Sequence, residues 1–150
     1  MSLRHLRREE TVGRGADAFA RCRERLLAYT FYPPRIVTAP GPVREGATLH
    51  QRIRVGPLRF RGPVKVLALW DEPDRVGYRY EALPGHVERG VAEFELRVTA
   101  EGDVRFRIES HSAPAHPLAR AFAPLARALQ RRAYAGAFKS MREAAGERPR

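Results

Sequence analysis

The apolar side chains between residues 47 and 108 recur at every second position, a period typical of β-strands with one buried face. Charged residues occupy most of the intervening positions, as in an antiparallel sheet that meets water on one side. The inward sets are Leu49, Gln51, Ile53 and Val55; Val64, Val66, Ala68 and Trp70; Val76, Tyr78, Tyr80 and Ala82; Ala92, Phe94, Leu96 and Val98; and Val104, Phe106 and Ile108.

Short clusters rich in glycine, proline and aspartate separate these strands and predict the turns of a meander. They lie at Gly56-Pro57 and at residues 71–74, 83–86 and 100–103. A further pair, Gly62-Pro63, falls within the second strand, where we predict a bulge or a bend.

Both ends of the chain show helical spacing instead. An N-terminal helix is predicted to end near Tyr29, and Phe31-Tyr32-Pro33-Pro34 after it must be extended because proline restricts the preceding residue. A long amphipathic helix is predicted near the C-terminus, and Pro124 should kink it or split it into a short and a long helix. Its apolar stripe comprises Leu118, Phe122, Leu125, Leu129, Ala133, Ala137 and Met141.

Together these elements predict an α+β fold: a curved antiparallel sheet of about six or seven strands that grips a long C-terminal helix, with a second helix near the N-terminus. We expect residues 1–150 to form a single helix-grip domain with a short flexible tail at 146–150. Such a fold can leave a cavity between the sheet and the final helix.

The charge changes this picture only in part. The chain carries 28 Lys+Arg against 17 Asp+Glu, a net charge of +11, and only Lys65 and Lys139 among the cations are lysines. Net charge is +9 over residues 1–70, −4 over 71–112 and +6 over 113–150, so the acidic middle argues against a continuous phosphate-binding stripe. An arginine-rich composition is also typical of GC-rich genomes, which need no binding function to explain it.

Other composition features exclude several classes of protein. The single cysteine, Cys22, excludes an internal disulfide framework, and its helical position predicts a small buried residue. No apolar run reaches the ~18 residues of a membrane span, and residues 1–8 lack a signal peptide's apolar core, so we expect a cytoplasmic protein. The histidines show no metal-ligand spacing, and we expect neither a metal nor a cofactor.

Two sets of residues are candidates for function. His86 and Glu88 follow the Leu83-Pro84-Gly85 turn and form a possible general acid/base pair, although a turn histidine more often ties its own loop together. A lipophilic pocket is the second candidate, because inward tyrosines need polar partners that a cavity can provide. Its predicted lining is Tyr32, Trp70, Tyr78, Tyr80, His86, Phe94 and Tyr134.

The order His111-Ser112 followed by His116 superficially resembles a serine nucleophile with a histidine base. The Gly-x-Ser-x-Gly elbow that would present such a serine does not surround Ser112. We interpret this segment as a strand end followed by a helix cap.

The order Leu83-Pro84-Gly85-His86-x-Glu88-x-Gly90 resembles the signature of an uncharacterised bacterial and plant family, domain of unknown function number nineteen-ninety. The resemblance extends over most of the chain and implies a cavity-bearing fold similar to the START and birch-pollen-allergen superfamily. It implies no established activity. Its other matching residues are the Phe31-Tyr32-Pro33-Pro34 elbow, Phe94, Ser112, Pro114, Gln130 and Tyr134, while Val87, Val91, Ala92 and Ala113 depart from the family pattern.

Three functional hypotheses follow. We favour a module that binds a small hydrophobic molecule between the sheet and the final helix. The first alternative is an enzyme that acts on a hydrophobic substrate with His86 and Glu88 as acid and base. The second is a nucleic-acid-associated protein that binds through Arg120, Arg127, Arg131, Arg132 and Arg142. The sequence leaves the oligomeric state open.

Overall fold

The computed structural model describes residues 3–146 and contains one sheet of seven antiparallel strands. The strand order across the sheet is β1-β7-β6-β5-β4-β3-β2, so the first strand pairs with the last and the rest form a meander. The strands are β1 (Arg4–Arg14), β2 (Val37–Thr38), β3 (Thr48–Val55), β4 (Leu58–Glu72), β5 (Arg75–Ala82), β6 (Glu88–Val98) and β7 (Asp103–Pro114).

Three helices lie on the concave side of the sheet: α1 (Ala16–Ala28), α2 (Pro117–Ala121) and α3 (Ala123–Gly146). Arg21 of α1 donates hydrogen bonds to the carbonyl oxygens of Ala144 and Ala145, at 2.9 and 2.6 Å. The last carbonyls of a helix have no partner within it, so these bonds satisfy the C-terminal end of α3. They tie the two long helices together.

The α+β helix-grip architecture confirms the sequence prediction. As expected, α1 ends at Ala28, with Tyr29 left-handed at its C-cap, and the chain breaks into two helices just before Pro124. His116 caps α2 by accepting a hydrogen bond from the backbone N–H of Leu118. Residues 147–150 of the predicted tail lie outside the described residues.

The first strand, β1, was not predicted from the sequence. This strand pairs with β7 along its length, but Leu6 and Val12 are its only apolar residues that pack toward the core. Its charged side chains lie on both faces of the sheet, since Arg8 lies over the ring of Phe138 in α3 whereas Glu9 pairs with Arg105 of β7, so a period of two is hard to see in the hydrophobicity. Ion pairs with neighbouring strands help to hold β1 in the sheet, so the strand lacks the apolar alternation by which the others were predicted.

The predicted irregularity at Gly62-Pro63 is wrong. The register between β3 and β4 runs unbroken through this pair, and the shift lies between Val66 and Ala68 in the pairing of β4 with β5. An extra residue in one strand reverses the alternation beyond it. Trp70, predicted to face inward with Val64, therefore lies on the outer face and donates to Glu95 at 3.0 Å.

The core lies between the concave face of the sheet, α1 and the C-terminal half of α3. Phe31, Phe94, Phe106 and Phe138 are fully buried, and their rings contact one another at centroid distances of 4.8 to 5.9 Å. Cys22 is also buried, as predicted, and desolvation raises the pKa of its thiol to about 11. This half of the molecule is densely packed, and the open space lies at the other end of the sheet.

Candidate functional site

A cavity of about 160 Å³ lies between the concave face of the sheet and the N-terminal half of α3. The β3-β4 hairpin forms one wall, the start of β6 and the end of β7 form the second, and α2 with α3 forms the roof. Its lining is mainly apolar and includes Ile36, Val37, Ile53, Val55, Leu58, Phe60, Val64, Ala82, Val87, Val91, Ala92, Leu118, Phe122, Ala126, Leu129 and Ala133.

Four residues of the predicted pocket line this cavity: Tyr32, Tyr80, His86 and Tyr134. Glu88, the other half of the proposed acid/base pair, lies beside His86 in the same wall.

Trp70, Tyr78 and Phe94 are placed elsewhere. Tyr78 is fully buried beside α1, where its hydroxyl donates to the carbonyl oxygen of Leu26 at 3.1 Å. Phe94 lies beneath the cavity floor, with its ring 5.3 Å from the ring of Tyr80. Trp70 is on the opposite face of the sheet because of the bulge in β4.

Gln51 connects the polar groups of the cavity wall. Its Nε2 donates to the hydroxyl of Tyr29 and to the hydroxyl of Tyr80, the second at 3.2 Å. Its Oε1 lies 3.2 Å from Nε2 of His86. A side-chain amide has two donor hydrogens and an oxygen with two lone pairs, so the two tyrosines use both donors and the histidine uses one of the two acceptor positions.

These contacts determine the protonation of His86. The backbone N–H of Glu88 donates to Nδ1 of His86 at 2.9 Å, so Nδ1 carries the lone pair. Nε2 carries the hydrogen, because it faces the carbonyl oxygen of Gln51. Burial lowers the pKa of His86 to about 4, because desolvation disfavours the charged imidazolium. His86 is therefore neutral near pH 7 and donates toward the cavity wall.

Glu88 is affected by burial in the opposite sense. Desolvation raises the pKa of its carboxyl group, and a hydrogen bond with Ser112 and the positive charge of Arg4 only partly offset this. A carboxyl group in such surroundings accepts a proton more readily than one in water. The site thus places His86, whose lowered pKa favours the neutral imidazole, beside Glu88, whose raised pKa favours the protonated carboxyl group.

On the opposite wall, Tyr134 of α3 donates a hydrogen bond to the hydroxyl of Ser110 in β7 at 2.8 Å. Desolvation raises the pKa of Tyr134 far above its usual value, so its hydroxyl stays protonated at any physiological pH. Ser110 is itself buried and lines the cavity. The cavity therefore has two hydrogen-bonding positions on a mainly apolar surface, whose lining also includes Arg54, Arg89 and Gln130.

The mouth of the cavity is lined by large apolar side chains that are only half covered. Leu118 is 43% exposed, Phe122 52% and Leu58 38%. The apolar stripe of the predicted C-terminal helix thus divides in two: its second half covers the core, whereas its first half frames an opening. Phe60 contacts the ring of His116 at 5.2 Å and ties the hairpin to the start of α2.

The sequence analysis did not select Gln51, Ser110 or Ser112 as site residues. The signal for Gln51 was present, since it is a polar residue at an inward position of an otherwise apolar strand. Gly62 was not linked to the site either, although a Cβ there would lie 2.9 Å from Nε2 of His86. Glycine at 62 leaves room for the His86–Gln51 contact.

We predict that Gln51→Leu lowers the free energy of unfolding by about 2 kcal/mol, because it leaves the Nε2–H group of His86 without an acceptor. Urea unfolding measures the effect. The matched control is Arg52→Leu, at the next and outward-facing position, where a change within about 0.5 kcal/mol is expected. Equal stabilities for Gln51→Leu and the unaltered protein would contradict a stabilising role for the hydrogen bond between Gln51 and His86.

Among residues 3–146, no group of three or more histidine, cysteine, aspartate or glutamate side chains is arranged to hold a metal ion. No helix in the same range is long and apolar enough to cross a bilayer.

A seven-stranded antiparallel sheet wrapped around a C-terminal helix, with a cavity between them, is a START-like helix-grip fold. Solved structures share this fold at low sequence identity. The Zhui aromatase/cyclase of Streptomyces sp. R1128 matches with a TM-score of 0.68 and 13% identity, over 95% of this chain and 93% of that one. A START superfamily protein of Mycobacterium smegmatis matches with a TM-score of 0.64 and 11% identity, over 93% and 94%.

Residues 1–140 match the family model of the domain of unknown function DUF1990, and the chain belongs to this family. A curated relative, a UPF0548 protein of Deinococcus radiodurans, is 47% identical over 68 residues. That match covers 45% of this chain and 34% of the relative, so the aligned part spans about a third of the relative's length.

Proposed function

We propose that this protein binds a small hydrophobic molecule in the cavity between the β3-β4 hairpin and α3. The supporting observation is a partly open, mainly apolar space whose hydrogen-bonding groups are already oriented by one another. Small-molecule sites typically combine an apolar lining with a few fixed polar groups. The START-like fold is consistent with this role.

The size of the cavity limits what it holds. Its volume of about 160 Å³ is close to the ~150 Å³ of an engineered apolar cavity that accepts benzene. One six-membered ring or a short alkyl chain therefore fills this space. Any larger ligand must extend out of the cavity.

The polar wall suits a ligand with one hydroxyl or carbonyl group inside the cavity. Tyr80 and the Gln51–His86 pair lie on one side of the cavity, and Tyr134 with Ser110 on the other. A neutral polar group can exchange hydrogen bonds with these partners at little desolvation cost. We therefore choose 4-ethylphenol as a first probe, because it combines one ring with one hydroxyl.

The acid/base hypothesis for His86 and Glu88 stays a prediction. In the described geometry, the lone pair of His86 accepts the backbone N–H of Glu88 and its other nitrogen faces Gln51. A general base needs a free lone pair toward its substrate. In our proposal, His86 acts instead as a fixed hydrogen-bond donor that orients Gln51.

We predict that Ala126→Phe weakens binding of 4-ethylphenol at least about tenfold, because Ala126 lines the cavity and the added ring occupies the ligand's space. Saturation-transfer NMR detects the probe and isothermal titration calorimetry measures its dissociation constant. Ala128→Phe on the same helix is the control, since Ala128 is exposed and does not line the cavity. No saturable binding to the unaltered protein, or an equal loss in both variants, would overturn the proposal.

A further inference from the structure

A second depression lies directly beside the mouth of the cavity, between α3 and the segment that carries β2 and β3. Four cations line it: Arg35, Arg54, Arg132 and Lys139. All four are exposed, and within residues 3–146 no acidic residue contributes to its lining. We call this depression the cationic groove.

The walls of the groove are fixed by packing. Pro33 of the aromatic-proline elbow packs against Gly136 of α3, where a Cβ would lie only 2.3 Å from Cγ of Pro33. Glycine at 136 thus allows the elbow and the helix to touch at the floor of the groove. The cations are carried by elements that contact each other, so the groove does not depend on a free loop.

The cations of the groove have no acidic partner among the residues that the structure describes. Residues 46–70 and 113–142 contain no aspartate or glutamate. Within residues 3–146, ion pairs involve other arginines, and none includes a cation of the groove. On the outer face of the sheet, by contrast, Arg105 pairs with Glu9 and Arg107 with Glu93, at 3.0 and 2.9 Å.

The strand register adds to this uncompensated charge. Arg54, which lines the groove, lies directly opposite Arg59 in the pairing of β3 with β4. Like charges at opposed positions destabilise a β-sheet. An anion bound at this end of the sheet reduces that repulsion, so the arrangement favours an anionic ligand.

The cationic groove is continuous with the apolar cavity. Ile36, Arg54 and Leu129 line both spaces. A molecule that fills the cavity and extends through the opening on this side therefore meets the cations within a few bonds of its apolar part.

We propose that the ligand is an amphiphile with an anionic head, whose short chain or ring occupies the cavity while its phosphate or carboxylate lies in the cationic groove. This inference rests on the proposed function, because the apolar part of the ligand must bind in the cavity for its anionic head to lie in the cationic groove. Guanidinium groups bind both oxyanions through charge-assisted hydrogen bonds. A phosphate, with its higher charge, engages more of the four cations than a carboxylate.

Calorimetric titration of the full chain with octyl phosphate, octanoate, octanol and inorganic phosphate tests the inference. We expect the anionic amphiphiles to bind at least about tenfold more tightly than octanol, with octyl phosphate the tightest. Inorganic phosphate should bind at least about tenfold more weakly than octyl phosphate, because it lacks the chain. Equal affinities of octyl phosphate and octanol, or of octyl phosphate and inorganic phosphate, would overturn the inference.

Two double variants on α3 distinguish binding in the cationic groove from a general effect of positive charge. Arg132→Gln/Lys139→Gln removes two cations of the groove, and Arg127→Gln/Arg131→Gln removes two exposed cations of the same helix that do not line it. We expect the first pair alone to reduce the affinity for octyl phosphate at least about tenfold, with octanol binding unchanged. Equal losses of affinity for octyl phosphate in both double variants would refute binding of the anionic head in the cationic groove. Because octanol probes only the cavity, its failure to bind would instead count against the proposed function.

Discussion

Replacing Gly90 by alanine is expected to remove most of the stability of this protein, by about 4 kcal/mol or more. A Cβ at this position would lie 1.9 Å from the carbonyl oxygen of His111 and 2.8 Å from Cα of Ser112. Both are backbone atoms of β7, so relief requires a shift of one strand. The φ angle of Gly90 is 132°, a conformation that L-residues rarely adopt, and this adds strain.

The matched control is Gly85→Ala in the preceding turn. Gly85 also has a positive φ, 96°, but a Cβ there meets no atom within 4 Å. The cost should be backbone strain alone, about 1 kcal/mol. Urea unfolding of both variants measures the difference, and similar midpoints would show that β6 and β7 do not approach as closely as described.

The second large effect concerns pH. The pKa of His86 lies near 4 in the folded protein, against 6.5 for an ordinary histidine. Between these values the unfolded chain binds the additional proton, so the free energy of unfolding falls as the pH is lowered from 6.5 to 4. A difference of this size corresponds to about 3 kcal/mol, fully lost below pH 4. The raised pKa of Glu88 acts in the opposite direction and offsets part of the loss.

His86→Asn isolates the contribution of the histidine. An asparagine oxygen can accept the backbone N–H two residues further on, as Nδ1 of His86 does, and an amide does not titrate. We expect the variant to be less sensitive than the unaltered protein between pH 6.5 and 4. Carboxylates with lowered pKa values, such as Glu9 and Asp71, affect both proteins alike and cancel in the comparison. Parallel stability curves for the two proteins would show that His86 is not kept neutral by burial.

Much of the fold was predictable because its signals are local. A period of two records which side of a strand is buried, and the turn clusters mark where the chain reverses. The break before Pro124 follows from the missing backbone donor of proline. In each case the physical cause lies within a few residues of its effect.

The two errors in the fold arose where the cause is not local. β1 is stabilised by pairing with β7, about a hundred residues away, and carries few apolar residues of its own. The bulge between Val66 and Ala68 depends on the register with β5, not on a glycine or proline in β4. That single extra residue moves Trp70 to the outer face.

The same distinction between local and non-local causes applies to the candidate site. The sequence placed Tyr32, Tyr80, His86 and Tyr134 among residues worth attention, and all four line the cavity. It treated His86 with Glu88 as a pair, whereas the structure shows that the main side-chain partner of His86 is Gln51, on a strand that is distant in the chain. Hydrogen-bond partners across a sheet depend on register, which local pattern does not specify.

By itself, the sequence determined the fold class, the order of the strands in the meander, the two-helix division of the C-terminal segment and the excess of positive charge, since period, turn residues and composition are properties of neighbouring residues. Only the tertiary structure decided where the space lies and which charges are left without partners. Arginines on β7 meet glutamates across the sheet, whereas Arg54, Arg132 and Lys139 line the cationic groove and pair with no acidic side chain among residues 3–146. That contrast arises because ion pairing depends on distance in space, and the fold brings together segments that the sequence keeps far apart.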